Sequence, residues 1–201
     1  METYRLFIAV EVSPEVKAEL TMAQERLRRG ALVKWVAPEA MHITLHFLGE
    51  TDVALLPPLG EAIGTALAGH APFGLQLEGV GAFPHLRRPN VIWAGVAGAT
   101  AELERIQEAS GRAIESLGLP REIRPFRAHL TLGRVRREAT PAQQEQLGAA
   151  VRSLPALVPL PWQVDRVVLF RSELRPTGPI YTELVSCPLS AVGRVADTTN
   201  S

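Results

Sequence analysis

The 201-residue sequence predicts an α+β or mixed α/β fold, with two similar lobes each giving one strand to a central cleft. Three observations predict it. Strand and helix patterns follow one another as strand, helix, strand, strand, helix, strand, strand, helix, strand, helix, strand, strand, which is not the strict βαβ alternation of a parallel sheet. The phrase His42-Ile43-Thr44-Leu45 returns 87 positions later as His129-Leu130-Thr131-Leu132. The chain is 46% hydrophobic, enough for a sizeable core, and no apolar run approaches the roughly 20 residues of a membrane helix.

Each element has its own local signal. Residues 5–10 (Arg-Leu-Phe-Ile-Ala-Val) form a strand pattern, and Ser13-Pro14 marks a helix start with a capping hydroxyl and Pro at the first helical position. Leu20 and Leu27 carry that helix to Gly30. Residues 33–36 are a short strand broken by Pro38, and 42–48 a strand closed by Gly49. A helix over about 52–69 is disturbed at its start by Pro57 and Pro58. Phe73, Leu75 and Leu77 alternate as in a strand, 79–89 reads as a Gly/Pro-containing loop, and 91–96 as a strand. Leu103, Ile106, Ala113 and Leu117 recur at helical spacing, with Thr100 as cap and Gly118 as stop. Residues 128–132 form the second motif strand. Thr140-Pro141 opens a shorter helix, and 164–170 and 180–185 are late strands. The expected organisation is one bilobal unit over 1–190 and a flexible tail over 191–201, polar and small from Ser190.

Composition narrows the function classes. Lys+Arg and Asp+Glu both number 21, so no global field draws the protein to nucleic acid. Only Lys17 and Lys34 among the basic residues are lysines. Arg121, Arg124, Arg127, Arg134, Arg136 and Arg137 crowd around the second motif, and the planar guanidinium fork suits phosphate oxygens. The lone Cys187, ahead of Pro188, reads as buried packing and excludes an internal disulfide. The N-terminus carries no signal-peptide pattern, so a cytoplasmic location is expected. No G-x-x-x-x-G-K or G-x-G-x-x-G loop is present, which leaves bound ATP or NAD unsupported.

The repeated phrase carries the chemistry. On a strand, His and Thr of each copy face one way and Ile43, Leu45, Leu130 and Leu132 the other. Each copy is then a strand with an apolar back for a core and a polar front for a ligand. Imidazole titrates near pH 6.5 and serves as acid or base at neutral pH. A Thr hydroxyl two positions along, about 6.5–7 Å away at the backbone, can donate to a non-bridging phosphate oxygen while the His reaches a bridging one. A metal is the chief rival. His42 and His46 share one face of a regular strand but lie roughly 13 Å apart along it, too far to share a cation. His46 lines the cleft or sits in solvent; Phe47 could stack a base, but parity puts it in the core. His70 and His85 read as loop residues without evident partners.

The sequence resembles the 2H phosphoesterases, and among them the RNA 2′,3′-cyclic phosphodiesterases once described as 2′-5′ RNA ligases. The resemblance spans about residues 4–188. It rests on residues 5–9, on 35–50 with His42-Ile43-Thr44-Leu45-His46-Phe47-Leu48-Gly49-Glu50, on Phe83-Pro84 with Val91-Ile92-Trp93, and on Pro125-Phe126 through His129-Leu130-Thr131-Leu132-Gly133-Arg134. It also takes in Leu169-Phe170-Arg171-Ser172-Glu173-Leu174 and Gly178-Pro179-Ile180-Tyr181. Arg127-Ala128 departs from the pattern, since a Pro commonly precedes the second His. The resemblance implies a bilobal α+β fold with pseudo-twofold symmetry and an open cleft. It implies metal-free, cofactor-free hydrolysis of an RNA 2′,3′-cyclic phosphate to a 2′-phosphomonoester. His42 would be the proton donor, His129 the proton acceptor, and Thr44 and Thr131 the holders of the non-bridging oxygens. Arg134 matches a phosphate-touching position, yet its parity is opposite to that of His129, so it reaches the cleft only if the strand ends or bulges near Gly133. Arg127 has the right parity and is the second candidate. The expected partner is RNA with a cyclic phosphate end, with no metal and no membrane, and the default assembly is a monomer. Reversible 2′-5′ joining of RNA halves, non-catalytic RNA-end binding and turnover of small cyclic nucleotides are the alternatives.

Overall fold

The computed structural model describes residues 2–28, 33–121, 125–176 and 178–191. Gly30, Arg124 and residues 192–201 of the expected tail lie outside the described residues. The elements are β1 (Thr3–Glu11), α1 (Pro14–Leu27), β2 (Val33–Trp35), β3 (His42–Asp52), α2 (Leu56–Leu67), β4 (Phe73–Phe83), β5 (Val91–Gly98), α3 (Thr100–Ser116), β6 (His129–Val135), α4 (Pro141–Arg152), β7 (Pro161–Val164), β8 (Arg166–Arg175) and β9 (Gly178–Pro188). They form an α+β fold of two sheets, one ordered β3-β1-β8-β9 and the other β2-β6-β5-β4-β7. Every strand pairing is antiparallel.

Helix starts follow local chemistry. The Ser13 hydroxyl accepts from the Val16 N–H ahead of Pro14. Thr140 and Gln143 form a reciprocal capping box ahead of Pro141. Pro57 and Pro58 occupy the first turn of α2, where no intrahelical donor is needed, so they open the helix rather than disturb it. Thr100 does not cap α3. Ala99 takes that position without a side-chain bond, and Thr100 is the first helical residue.

Three further boundaries differ from the sequence reading. β4 runs on through Gly79 and Gly81 to Phe83, absorbing much of the expected loop, with a register shift between Leu77 and Val80 that the glycines accommodate. The expected strand over 164–170 divides at Asp165: β7 joins one sheet and β8 the other. β3 does not close at Gly49. Gly49 adopts φ +68°, open to glycine at little steric cost, and the strand continues to Asp52.

The two lobes interlock. β1 lies in the first sheet, but the helix that follows it, α1, packs against α4 and fastens to the second sheet through Gln24, whose amide donates to the carbonyls of Val36 (2.8 Å) and Leu132 (2.9 Å). β5 lies in the second sheet, but α3, which follows it, packs against α2 and β3 of the first lobe. Each repeat thus sends one helix to the opposite lobe before returning a motif strand to its own. Ile43, Leu45, Leu130 and Leu132 are all buried, as their alternation requires, and Leu20, Leu27, Leu103, Ile106 and Ala113 enter the core from the helices. Each fully buried Leu or Ile contributes about 1.5–3 kcal/mol. Cys187 is buried, as expected of packing.

Candidate active site

β3 and β6, the outer strand of one sheet and a strand of the other, meet where the sheets adjoin. His42 and His129 open these strands, and both are half-buried along with Thr44 and Thr131. The rings are near enough for a charge on His129 to oppose protonation of His42.

The His42 ring lies on an aromatic floor. It stacks on Phe7 with centroids 4.7 Å apart, and the edge of Tyr181 meets it at 5.3 Å. Phe170 stacks beneath, 5.2 Å from Phe7. Imidazolium in that surrounding loses its hydration, and the His42 pKa falls to about 4. A backbone hydrogen bond to Ala40 opposes the fall, while Lys17 adds to it. Nε2 of His42 lies 3.0 Å from the Thr44 hydroxyl, so strand neighbours two apart touch directly.

His129 is oriented by its own approach loop. Its Nδ1 stands 2.6 Å from the Arg127 carbonyl. A carbonyl only accepts, so Nδ1 carries the proton and Nε2 keeps a lone pair. Burial lowers the pKa of His129, the Arg127 carbonyl opposes this, and the Arg134 charge lowers it further. Phe83 meets the ring edge-on at 5.2 Å and packs on Trp93 at 5.1 Å. Gly81 has no side chain where Trp93 crosses β4.

Both motif strands bulge at the same place. On β3, Thr44 pairs with Ala9 and His46 with Ile8, leaving Leu45 as the extra residue. On β6, Thr131 pairs with Trp93 and Gly133 with Ile92, leaving Leu132 extra. The fourth residue of each His-x-Thr-x is therefore inserted, and side-chain parity flips beyond it. The flip corrects two readings. His46 does not line the cleft or meet solvent: it is 2% exposed and donates from Nε2 to the Gln107 carbonyl of α3 at 2.8 Å. Burial holds it neutral. Phe47 does not enter the core: it is 57% exposed and lies 6.1 Å from Phe7 on the His42 side.

The same flip turns Arg134 towards His129. Arg134 is exposed, and its charge acts on both His129 and Tyr181, that is, on both lobes. Arg127 is exposed and precedes β6, and what it places at the site is its carbonyl. Arg121 pairs with Glu108 and Glu115 on α3, away from the motif faces. Sequence alone does not single out Tyr181, Phe7, Phe170, Phe83 or Trp93 as site residues. All five enter the resemblance only as strand landmarks, and single aromatic residues in strands carry no signal separating wall from core.

Among the described residues, no three side chains of His, Cys, Asp and Glu gather as a metal-binding set, and no helix is long and apolar enough to cross a membrane. Hollows on the outer surfaces of α2 and α3, one of about 800 Å³ that includes His70, contain neither motif. His85 caps its own loop by accepting from the Arg88 N–H.

A family profile described as the 2′-5′ RNA ligase superfamily matches residues 11–175. A Thermotoga maritima protein named RNA 2′,3′-cyclic phosphodiesterase is 35% identical over 184 residues, 91% of this chain and 94% of that one. One of the same name from Thermus thermophilus is 38% identical over 186 residues, 90% and 87% of the two chains. The crystal structure of TT0787 of Thermus thermophilus superposes with TM-score 0.77 at 34% identity, covering 92% of this chain and 97% of that one. E. coli LigT in apo form, 23% identical with TM-score 0.75, shares the fold over 94% and 99% of the chains. With its paired His-x-Thr-x strands at the junction of two antiparallel sheets, the chain belongs to the 2′-5′ RNA ligase superfamily, the 2H phosphoesterases.

Proposed function

We propose that this protein hydrolyses RNA 2′,3′-cyclic phosphate termini to 2′-phosphomonoesters, with His42 and His129 as acid and base and without a metal. The observation that carries the reading is the placement of the two imidazoles, each held by its own contact at the start of one of two adjoining strands. His129, its Nδ1–H tied to the Arg127 carbonyl, offers an Nε2 lone pair, and His42 stands on the adjoining strand with its Nε2 beside the Thr44 hydroxyl. The relatives named RNA 2′,3′-cyclic phosphodiesterase support the same substrate class.

In the proposed reaction Nε2 of His129 removes a proton from water, whose oxygen attacks phosphorus. The P–O3′ bond breaks on the opposite side and His42 protonates O3′. Thr44 and Thr131 donate to the non-bridging oxygens, and Arg134 neutralises charge that grows there. Each positioned acid or base contributes roughly 10²–10⁴ in rate. His42 is neutral in the free protein at pH 7, because the aromatic floor disfavours its cation. The anionic phosphate supplies the opposite charge that lets His42 hold the proton it must deliver.

The test is RNA ending in a 2′,3′-cyclic phosphate, incubated with chelator and with or without an RNA bearing a free 5′-hydroxyl. A 2′-monoester formed at undiminished rate in chelator supports the reading. A 3′-monoester, or activity abolished by chelator and restored by metal, overturns it. A joined product formed faster than the monoester replaces hydrolysis by ligation. His42→Ala and His129→Ala are each expected to lose at least a hundredfold in kcat while circular dichroism is unchanged.

A further inference from the structure

Some basic residues of this neutral chain are held by carboxylates and others are not. Arg28, Arg105, Arg112, Arg121, Arg166, Arg171 and Arg175 each pair with a glutamate. Several other basic residues make no such pair among the described residues, Arg5, Arg26 and Arg152 included, and among them are six exposed ones, Lys34, Arg87, Arg88, Arg134, Arg136 and Arg137. These six are gathered by the fold. Lys34 and Arg134 are cross-strand partners, so their side chains share one face. Arg136 and Arg137 follow directly where β6 ends. The Val135 N–H donates to the Asn90 carbonyl at 2.9 Å, which places loop 84–90, with Arg87 and Arg88, against loop 136–140.

The placement is rigid. Loop 84–90 is closed by Asn90 N–H donating to the Phe83 carbonyl at 2.7 Å and is held by Gln144 of α4 through the Pro89 carbonyl. Gly148 of α4 packs on the Leu86 carbonyl. Like charges this close repel one another, and within these two loops only Glu138 offsets them. Such an arrangement is stabilised when an extended polyanion lies across it and releases its counterions. It also leads away from the chemistry. From His129 to Val135 the strand spans about 20 Å, and Arg134 stands between the rings and the two loops.

We propose that Arg87, Arg88, Arg136 and Arg137, continuing from Lys34 and Arg134, form the track that holds the single-stranded RNA preceding the terminal cyclic phosphate. This rests on the hydrolase reading above and deepens it: the site would be built for polymer ends, with a cyclic mononucleotide as a substrate that misses the track.

The experiment compares the intact protein with R87Q/R88Q, R136Q/R137Q and the quadruple variant, none of which touches the reacting groups. Binding is measured to a 12-nucleotide RNA carrying a 2′-phosphate, which is not turned over, and hydrolysis is measured on a cyclic mononucleotide. The quadruple variant is expected to bind the RNA at least tenfold more weakly at low salt and to lose about 0.7 per lost phosphate contact from the slope of log K against log salt. Its kcat/KM on the mononucleotide is expected to stay within twofold. Unchanged RNA binding in the quadruple variant overturns the proposal, as does an equal loss on the mononucleotide or an equal loss for blunt DNA of the same charge. Should the intact protein bind the RNA with this salt dependence yet hydrolyse no cyclic phosphate, the track stands and the chemistry falls.

Discussion

His42 combines two demands that conflict. Its ring must be held still, and Phe7, Phe170 and Tyr181 hold it by stacking and edge contact. The same rings strip its cation of water and bring its pKa down to about 4. His129 is shifted in the same direction. The proposed reaction needs one ring charged and one neutral, and in the free protein that state is most populated on the acid side of 6.5. The profile of kcat/KM is expected to be a bell with its maximum below pH 6.5. That of kcat is expected to lie higher in pH, because the bound phosphate anion raises both values. A kcat/KM that only climbs with pH would contradict an acid–base pair. The sign for stability follows from the same shifts. Folded-state values below the unfolded one mean that the unfolded chain binds more protons, so the melting temperature is expected to fall as pH drops from 6.5 towards 4. Phe47 offers a separate check. Exposed beside the His42 floor, it is placed to stack a base, and base–aromatic stacking contributes about 1–3 kcal/mol. Phe47→Ala is expected to raise KM for a cyclic nucleotide about five- to a hundredfold, with kcat and melting temperature little changed.

The motif strand is more than an alternation of polar and apolar residues. In both copies the fourth residue is an extra one against its neighbour, Leu45 on β3 and Leu132 on β6. The repeat of the phrase is thus also a repeat of a backbone device, and it places Phe47 and Arg134 at corresponding positions, five residues past each His. One lobe presents a ring there and the other a guanidinium, a difference that suits the two ends of a nucleotide. The sequence carried the strands and their first four residues legibly, because period-two alternation is a local property. Beyond Leu45 it was silent. A bulge is set by pairing with a distant strand, and no residue of His46-Phe47 announces it. For Arg134 the glycine at 133 was a usable hint, since Val33 and Trp35 lie 2.5 and 2.8 Å from where a Cβ would stand. Glycine matters equally on α4. Gly148→Ala would drive a methyl into the Leu86 carbonyl, and overpacking of this kind costs about 1–3 kcal/mol. That variant is expected to melt lower and to weaken binding of long RNA more than turnover of a cyclic mononucleotide, because the strained loop carries Arg87 and Arg88.

At the scale of the molecule, two helices change lobes and tie together the strands that carry the imidazoles. α3 binds His46 on the back of β3 through the Gln107 carbonyl, then leads by its following loop to His129. α1 leaves β1 and clasps the other lobe through Gln24, whose amide bridges Val36 and Leu132 beside the β6 bulge. Gln24→Ala leaves two carbonyls without their side-chain partner and opens space at that seam. It is expected to destabilise the fold by about 1–3 kcal/mol and to lower kcat more than it raises KM. Unaltered kcat at full occupancy would show that the clasp holds the lobes without setting the rings.

The repeated His-x-Thr-x phrase and most of the core are legible in residue type and in a period-two pattern that the backbone enforces locally. So is the recurrence that gives each lobe a matching strand. Strand pairing, by contrast, parts β7 and β8 into different sheets at Asp165, turns His46 inward and Phe47 outward, and brings Arg134 towards His129. Those outcomes depend on which strand lies alongside and in what register. Register is a relation between residues dozens of positions apart, settled by the burial of both partners at once.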